Sequence, residues 1–280
     1  MWRSRRKNSI YEGKRMKIFT SAIESACMTT EHGKLYLAQY MNHKGIRLLW
    51  NLMSYYYLQN HADNAEYIRD NSDLILIYSG AHSFQFGKKV EWEQYTRQYA
   101  EWIRRFDRKN VVGYFEMDIE NIVGYERVLE LRKILEDVSD KIIPVWHPLR
   151  GIDDYEKMCE QYRKKVVAIG GFRGTDIKDD QYLMFMKVAR KYDCKVHCLG
   201  MSRENVLSKC PFDYTDSATW LTAANMGDPI INGKRSQKTS AKRFPKAKGI
   251  DKLNQYAWNY RNFQAIQMKY YRKWQKECKD

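Results

Sequence analysis

Hydrophobic positions in this chain cluster in short runs of β-branched and aromatic residues, separated by longer stretches where apolar side chains recur every three or four places. The short runs, bounded by polar, Gly or Pro residues, predict strands over 17–21, 46–52, 74–78, 111–117, 141–146, 166–169, 195–199 and 212–215. Charged amphipathic stretches of helical length fill most of the intervals, at 90–106, 125–137, 153–162 and 181–191. Strand and helix therefore alternate. This pattern, with a right-handed crossover at each step, predicts an α/β fold, and eight repeats fit a TIM-like (β/α)8 barrel better than an open sheet. Two spacings strain it: the interval from Ile46 to Leu74 is long, and that from Leu199 to Phe212 has room for one short helix. A final helix over 253–276, rich in aromatics such as Tyr256, Trp258, Tyr260 and Trp274, is expected to pack across the outside of the barrel.

With 280 residues, 44% of them hydrophobic, the chain buries a sizeable core, which excludes a linker, a coiled coil and a disulfide miniprotein. The pattern divides it into a basic extension (1–15), a barrel (16–227) and a basic loop with the C-terminal helix (228–280). No window has the 18 or so consecutive apolar residues of a membrane helix, and the basic N-terminus lacks an apolar segment behind it. Six scattered cysteines do not form a disulfide framework, so a reducing cytoplasm is the expected compartment.

Charge sharpens the picture once it is divided along the chain. Residues 1–17 carry a net charge of +6 and residues 228–280 carry +10, whereas residues 18–227 carry −1. Asn232 to Gly249 contains Lys234, Arg235, Lys238, Lys242, Arg243, Lys246 and Lys248 and no acid. Gly233, Pro245 and Gly249 interrupt it, which predicts an extended loop suited to a phosphate backbone. A solvated solubility tail is the alternative.

In a parallel barrel, reactive groups sit at the C-terminal ends of strands. Those ends hold Ser21 and Glu24, Tyr78-Ser79-Gly80, Glu116 and Asp118, His147, Gly170-Gly171, Gly200, and Asp216-Ser217. Glu116 and Asp118, two residues apart on an extended strand, share one side, where repulsion lifts one pKa; alternatively Asp118 caps the next helix. His147, fixed in extended backbone by Pro148, is a candidate proton carrier or a structural histidine. Gly170 and Gly171 admit a flat ligand to the backbone, or make a turn. Asp216 is placed to attack an electrophilic carbon or to cap a helix through Trp220. Cys194 and Cys198 share a strand face that His197 does not, so no metal site is predicted, nor any cofactor.

Ile77-Tyr78-Ser79-Gly80-Ala81, Phe115-Glu116-Met117-Asp118, Ala168-Ile169-Gly170-Gly171, His197-Cys198-Leu199-Gly200 and Thr215-Asp216-Ser217 resemble, in order, segments of the tRNA-guanine transglycosylase superfamily. The closer resemblance is to the phage-encoded relatives associated with 7-deazaguanine DNA modification. It spans about residues 16–220 and implies a TIM barrel, with DNA or tRNA as partner. It also implies replacement of guanine by a 7-deazaguanine such as preQ0 through a covalent glycosyl-aspartate. Asp216 then matches the nucleophile, Asp118 the residue reading the base edge, and Gly170 with Gly171 the backbone beside it. Ser79, Gly80, His197 and Gly200 fall in the same base-binding segments, and Glu116, His147 or Tyr78 is left to handle the proton. The chain departs from the family in carrying Tyr78 where an Asp usually precedes Ser-Gly, and in lacking the cysteine-rich zinc region of the tRNA enzymes. A phenol of ordinary pKa near 10 is a poor base at neutral pH. Two other readings stay open: a catalytically weakened nucleic-acid-binding relative, and a barrel glycoside hydrolase using Glu116 and Asp216, which leaves the charged ends unexplained.

Overall fold

The structure, a computed structural model, describes residues 15–80, 90–170, 177–236 and 243–276. The basic extension up to Lys14, and Gly171, Lys238 and Lys242, lie outside the described residues. From the N-terminus the chain forms β1 (Lys17–Ser21), a hairpin of β2 (Cys27–Thr30) and β3 (Gly33–Tyr36), α1 (Leu37–His43), β4 (Leu48–Ser54), α2 (Tyr55–Leu58), α3 (Ala62–Asn71) and β5 (Ser72–Tyr78). There follow α4 (Trp92–Phe106), β6 (Val111–Phe115), α5 (Glu120–Val123), α6 (Tyr125–Glu136), β7 (Ile142–Ile143), β8 (Val145–Trp146), α7 (Gly151–Gln161) and β9 (Val166–Ile169). The last third has α8 (Tyr182–Lys191), β10 (Lys195–Cys198), α9 (Glu204–Leu207), β11 (Tyr214–Ser217), α10 (Thr219–Asn225), the short strands β12 (Ile230–Ile231) and β13 (Lys234–Arg235), and α11 (Gly249–Lys276).

The molecule is a mixed α/β protein with two compact units, the larger made of Ile18–Val145 and Asp216–Ile266, the smaller built around Trp146–Thr215. In the larger unit the strand order is β7-β6-β5-β4-β1-β11, and the pairings from β1 through β7 are parallel. In the smaller unit the order is β11-β10-β9-β8, with β9, β10 and β11 parallel. The helices between strands follow from the sequence pattern: α4 turns Tyr95, Tyr99, Ile103 and Phe106 inward at helical spacing and its charges outward. Parallel strands buried on both faces read as continuous apolar runs, as in Leu74 to Ile77 of β5.

Every predicted strand has a counterpart, with three corrections. The run 141–146 is not one strand, because Pro144 has no N–H for the ladder; β7 and β8 stop on either side of it, and the N–H of Val145 goes to Glu116 Oε1. Strand β6 ends at Phe115 and not at Met117. The basic stretch from Asn232 is not wholly a loop: β13 pairs antiparallel with β12, two residues on each side of a turn at Asn232 and Gly233. The long interval before β5 holds the two helices α2 and α3, and that before β11 holds only the four residues of α9.

The first part of α11 is part of the larger unit. Its Tyr260, fully buried, donates to Asn51 Oδ1 of β4, and Asn259 ties the chain to Trp220 O and Asp228 O. Tyr260, Phe263, Tyr270 and Trp274 of this helix are therefore core, whereas Trp258 is exposed. In the smaller unit the helix's last turns bury Trp274, whose indole N–H donates to Leu207 O.

Candidate active site

Register puts the polar strand ends of the larger unit on one face. Ser21 pairs with Leu52 and Ser54 with Tyr78; paired residues of parallel strands point to the same side, and positions two apart share it. Ser21, Leu52, Ser54, Leu76 and Tyr78 thus face one way, with Ser21, Ser54 and Tyr78 each the last residue of its strand. β11 lies next to β1 and brings Asp216 to this edge.

Asp216 is 9% exposed and its Oδ2 accepts a 2.7 Å hydrogen bond from Ser21 Oγ. Trp220, in the first turn of α10, donates its indole N–H to Ser21 O and so fixes the residue that holds the aspartate. The helix-capping reading of Asp216 is not realised, since Ser217 Oγ accepts from Thr219 N–H instead. Tyr78 donates to Asp118 Oδ2 at 2.5 Å and packs its ring on Phe115. Burial, then the carboxylate of Asp118, hold the Tyr78 hydroxyl protonated far above the ordinary phenol range, and the charges of Asp216 and Glu116 push the same way. Tyr78 is therefore a donor at any neutral pH, and Asp118 is oriented by it instead of capping α5, whose N-cap is Ile119.

The extended strand expected to carry Glu116 and Asp118 is absent, because β6 ends at Phe115. Glu116, 1% exposed, meets Arg132 Nε of α6 at 2.5 Å with one oxygen and takes the Val145 N–H with the other. This carboxylate joins a helix to the strand break at Pro144. Gly80, with φ +84°, is required on two counts: a Cβ there would lie 2.3 Å from Tyr56 Cβ and 2.9 Å from Ser54 Oγ. In the smaller unit, His147 is buried and extended (φ −117°), His197 is fully buried in β10, Gly170 donates its N–H to Trp146 O, and Gly200 makes a left-handed turn at φ +63° with open space where a side chain would go. Cys194 packs its thiol on the carbonyls of Cys159 and Tyr162, and among the described residues no cluster of His, Cys, Asp and Glu is arranged to hold a metal.

Glu24 sits in the 3-10 turn Ile23–Ser25 just past β1, swung back by Ala22 in left-handed backbone (φ 69°). Its Oε1 accepts the Ser54 N–H at 3.0 Å, while Oε2 is buried with no hydrogen-bond partner, as are Ser54 Oγ and Ser79 Oγ. Burial raises the Glu24 carboxyl to about 7, against its own and the Ser54 backbone hydrogen bonds. The sequence pattern puts Glu24 near a strand end and assigns it no role. A lone Glu beside the apolar run Ile18 to Ile23 is the only signal it offers.

The basic tail divides into two kinds of cation. Arg235 donates from Nε and a terminal nitrogen to Asp228 Oδ2, and Arg243 Nε lies 3.6 Å from Asp228 Oδ1; the aspartate itself is 1% exposed. Lys234, Lys246 and Lys248 are exposed. The buried acid thus pairs with Arg235 of the hairpin and lies beside Arg243, a pairing that residue spacing does not reveal, and both arginines remain exposed. Arg243, Lys246, Lys248 and Lys252 line a cavity of about 710 Å³ in this region.

The class defined by the fold is a mixed α/β protein with parallel strands and a polar strand-end site. No protein-family model matches the chain, and no curated protein matches it. Among the described residues no helix is long and apolar enough to cross a membrane.

Proposed function

We propose that this chain is a (β/α)8 barrel of guanine-transglycosylase type, exchanging guanine in DNA, with tRNA the alternative substrate, for a 7-deazaguanine such as preQ0. The observation that carries the reading is the buried carboxylate of Asp216 at the end of β11, aimed by Ser21 and sharing its edge with the Tyr78–Asp118 pair. A carboxylate oxygen of Asp216 bonds to the sugar C1′ as the C1′–N9 bond breaks. The guanine leaves with the bonding pair and a proton; the incoming base gives up its ring N–H proton as its nitrogen attacks C1′ and releases Asp216. Asp118, held by Tyr78, accepts from the base edge. A base must leave the helix to reach such an edge.

An amide cannot serve as this nucleophile. Asp216→Asn is expected to lower guanine exchange and trapping of the protein–nucleic acid adduct by a factor on the order of 10⁴ or more, with oligonucleotide binding unchanged. Exchange by Asp216→Asn at the wild-type rate sinks the reading. The weakened, binding-only relative is favoured by one observation: Tyr78, protonated by burial, stands where a base is usually found. Absence of exchange in the wild-type protein, with binding intact, selects it.

The exposed lysines carry the backbone contact in this reading. Substituting Lys234, Lys246 and Lys248 together with Gln is expected to flatten the slope of log affinity against log salt by about 0.9 for each duplex phosphate no longer neutralised, for all sequences alike. Arg235→Gln should instead lower stability, because it removes the hydrogen-bonded cation of buried Asp228 and leaves only the longer contact to Arg243. Salt titrations and melting curves separate the two, and an unchanged slope in the triple variant assigns the tail to solubility.

A further inference from the structure

We propose that Glu24 is the proton-transferring residue of the exchange, giving its proton to the departing guanine and taking one back from the incoming base. The role rests on the reading of Asp216 as nucleophile and fills the place that Tyr78, locked as a donor, leaves vacant.

Geometry argues for it first. The turn carrying Glu24 begins right after Ser21, the residue that holds Asp216, and its side chain returns to the N–H of Ser54, the last residue of β4 and the register partner of Tyr78. Glu24 is thereby tied to the strand ends on both sides of the proposed reaction, at the same edge and within the same unit. One oxygen is committed to Ser54 N–H. The other, Oε2, is buried without a partner, in a residue 8% exposed, and the hydroxyl of Ser54 is equally unsatisfied. Buried acceptors are nearly always hydrogen-bonded, and an exception calls for a reason, of which a catalytic role is one. A nitrogen heterocycle, which offers both N–H donors and lone-pair acceptors on one edge, satisfies either protonation state of this carboxyl.

The environment then tunes it. Strand β4 contributes no titratable side chain to the turn, α1 brings Tyr40 and His43, α2 only tyrosines, and α3 Asp63, Glu66, Tyr67, Arg69 and Asp70. None of these charges perturbs Glu24; desolvation does, so both the acid and the carboxylate are populated near neutral pH. In the first half of the reaction the Glu24 carboxylic proton moves to a ring nitrogen of the guanine as the C1′–N9 pair departs. In the second half the N–H proton of the 7-deazaguanine returns to the Glu24 carboxylate as its nitrogen bonds to C1′. The enzyme ends as it began.

The test uses the full-length protein with guanine-labelled DNA, following adduct formation in single turnovers, exchange with preQ0, and oligonucleotide binding. Glu24→Gln is expected to bind as wild type does, to form the adduct about 10²–10⁴-fold more slowly, and to lose the pH dependence that the wild-type rate shows near neutrality. Adduct formation by Glu24→Gln at the wild-type rate across the range from acid to alkaline overturns the role of Glu24 while leaving Asp216 as nucleophile. A wild-type protein that forms no adduct overturns the reading of Asp216 and this role with it. If Glu24→Gln melts early or binds poorly, the wild-type pH profile decides: a rate limb centred near neutral supports Glu24, and a flat profile through neutrality overturns it.

Discussion

Replacing Arg132 with methionine is expected to destabilise the protein by about 3–5 kcal/mol, the largest loss of any single substitution considered. Arg132 and Glu116 are 2% and 1% exposed, and the guanidinium is the cation paired with a carboxylate that cannot reach water. Methionine fills much of the volume but removes the guanidinium from the buried Glu116 carboxylate, to which the Val145 N–H still donates. Removing one member of a buried pair leaves an uncompensated charge, whereas removing both removes the penalty. The double variant Glu116→Leu with Arg132→Met should therefore recover a large part of the loss, short of the hydrogen bond that Val145 forfeits beside Pro144. Urea unfolding of the wild type, both single variants and the double variant measures the coupling. A loss below about 1 kcal/mol for Arg132→Met would show that the pair is solvated.

The second large effect is a dependence of stability on pH with an unusual sign. Glu24 binds its proton up to about 7 in the folded protein, against an ordinary value of 4.5. Between those two values the unfolded chain has released the proton and the folded one retains it, so stability falls as pH rises. The contribution is fully favourable below about pH 4.5, shrinks through the window, and amounts to a deficit of about 3 kcal/mol above pH 7. Glu24→Gln carries no ionisable group, so it should match the wild type near pH 4 and exceed its stability by up to about that amount at pH 8. The difference between the two proteins isolates Glu24 from Asp213, which burial also raises, and from Asp70, which Arg69 lowers. Parallel unfolding curves at every pH would mean that the carboxyl titrates normally. A protein that tolerates such a deficit at neutral pH fits the role proposed for Glu24, since sites tuned for chemistry are commonly costly to stability.

Periodicity and propensity make the strands and helices legible because they are local properties: apolar runs such as Leu74 to Ile77 can be buried on both faces, and α4 has one apolar stripe whatever it packs against. The same reasoning reaches the polar strand ends, including Asp216 and Tyr78, since a residue's place at the end of a run is also local. Composition alone reveals the charged ends. What the tertiary structure alone decided is who pairs with whom. Ser21 meets Asp216 across 195 residues, Glu116 pairs with Arg132, and buried Asp228 takes Arg235 as its ion-pair partner with Arg243 beside it. The state of Glu24 belongs to the same class, because desolvation depends on which side chains close over the carboxyl and on a single backbone N–H from Ser54, thirty residues away. Burial and hydrogen-bond partnership are properties of the assembled chain; a sequence pattern specifies which faces seek the interior, but the cost or use of a charge placed there depends on distances that only folding sets.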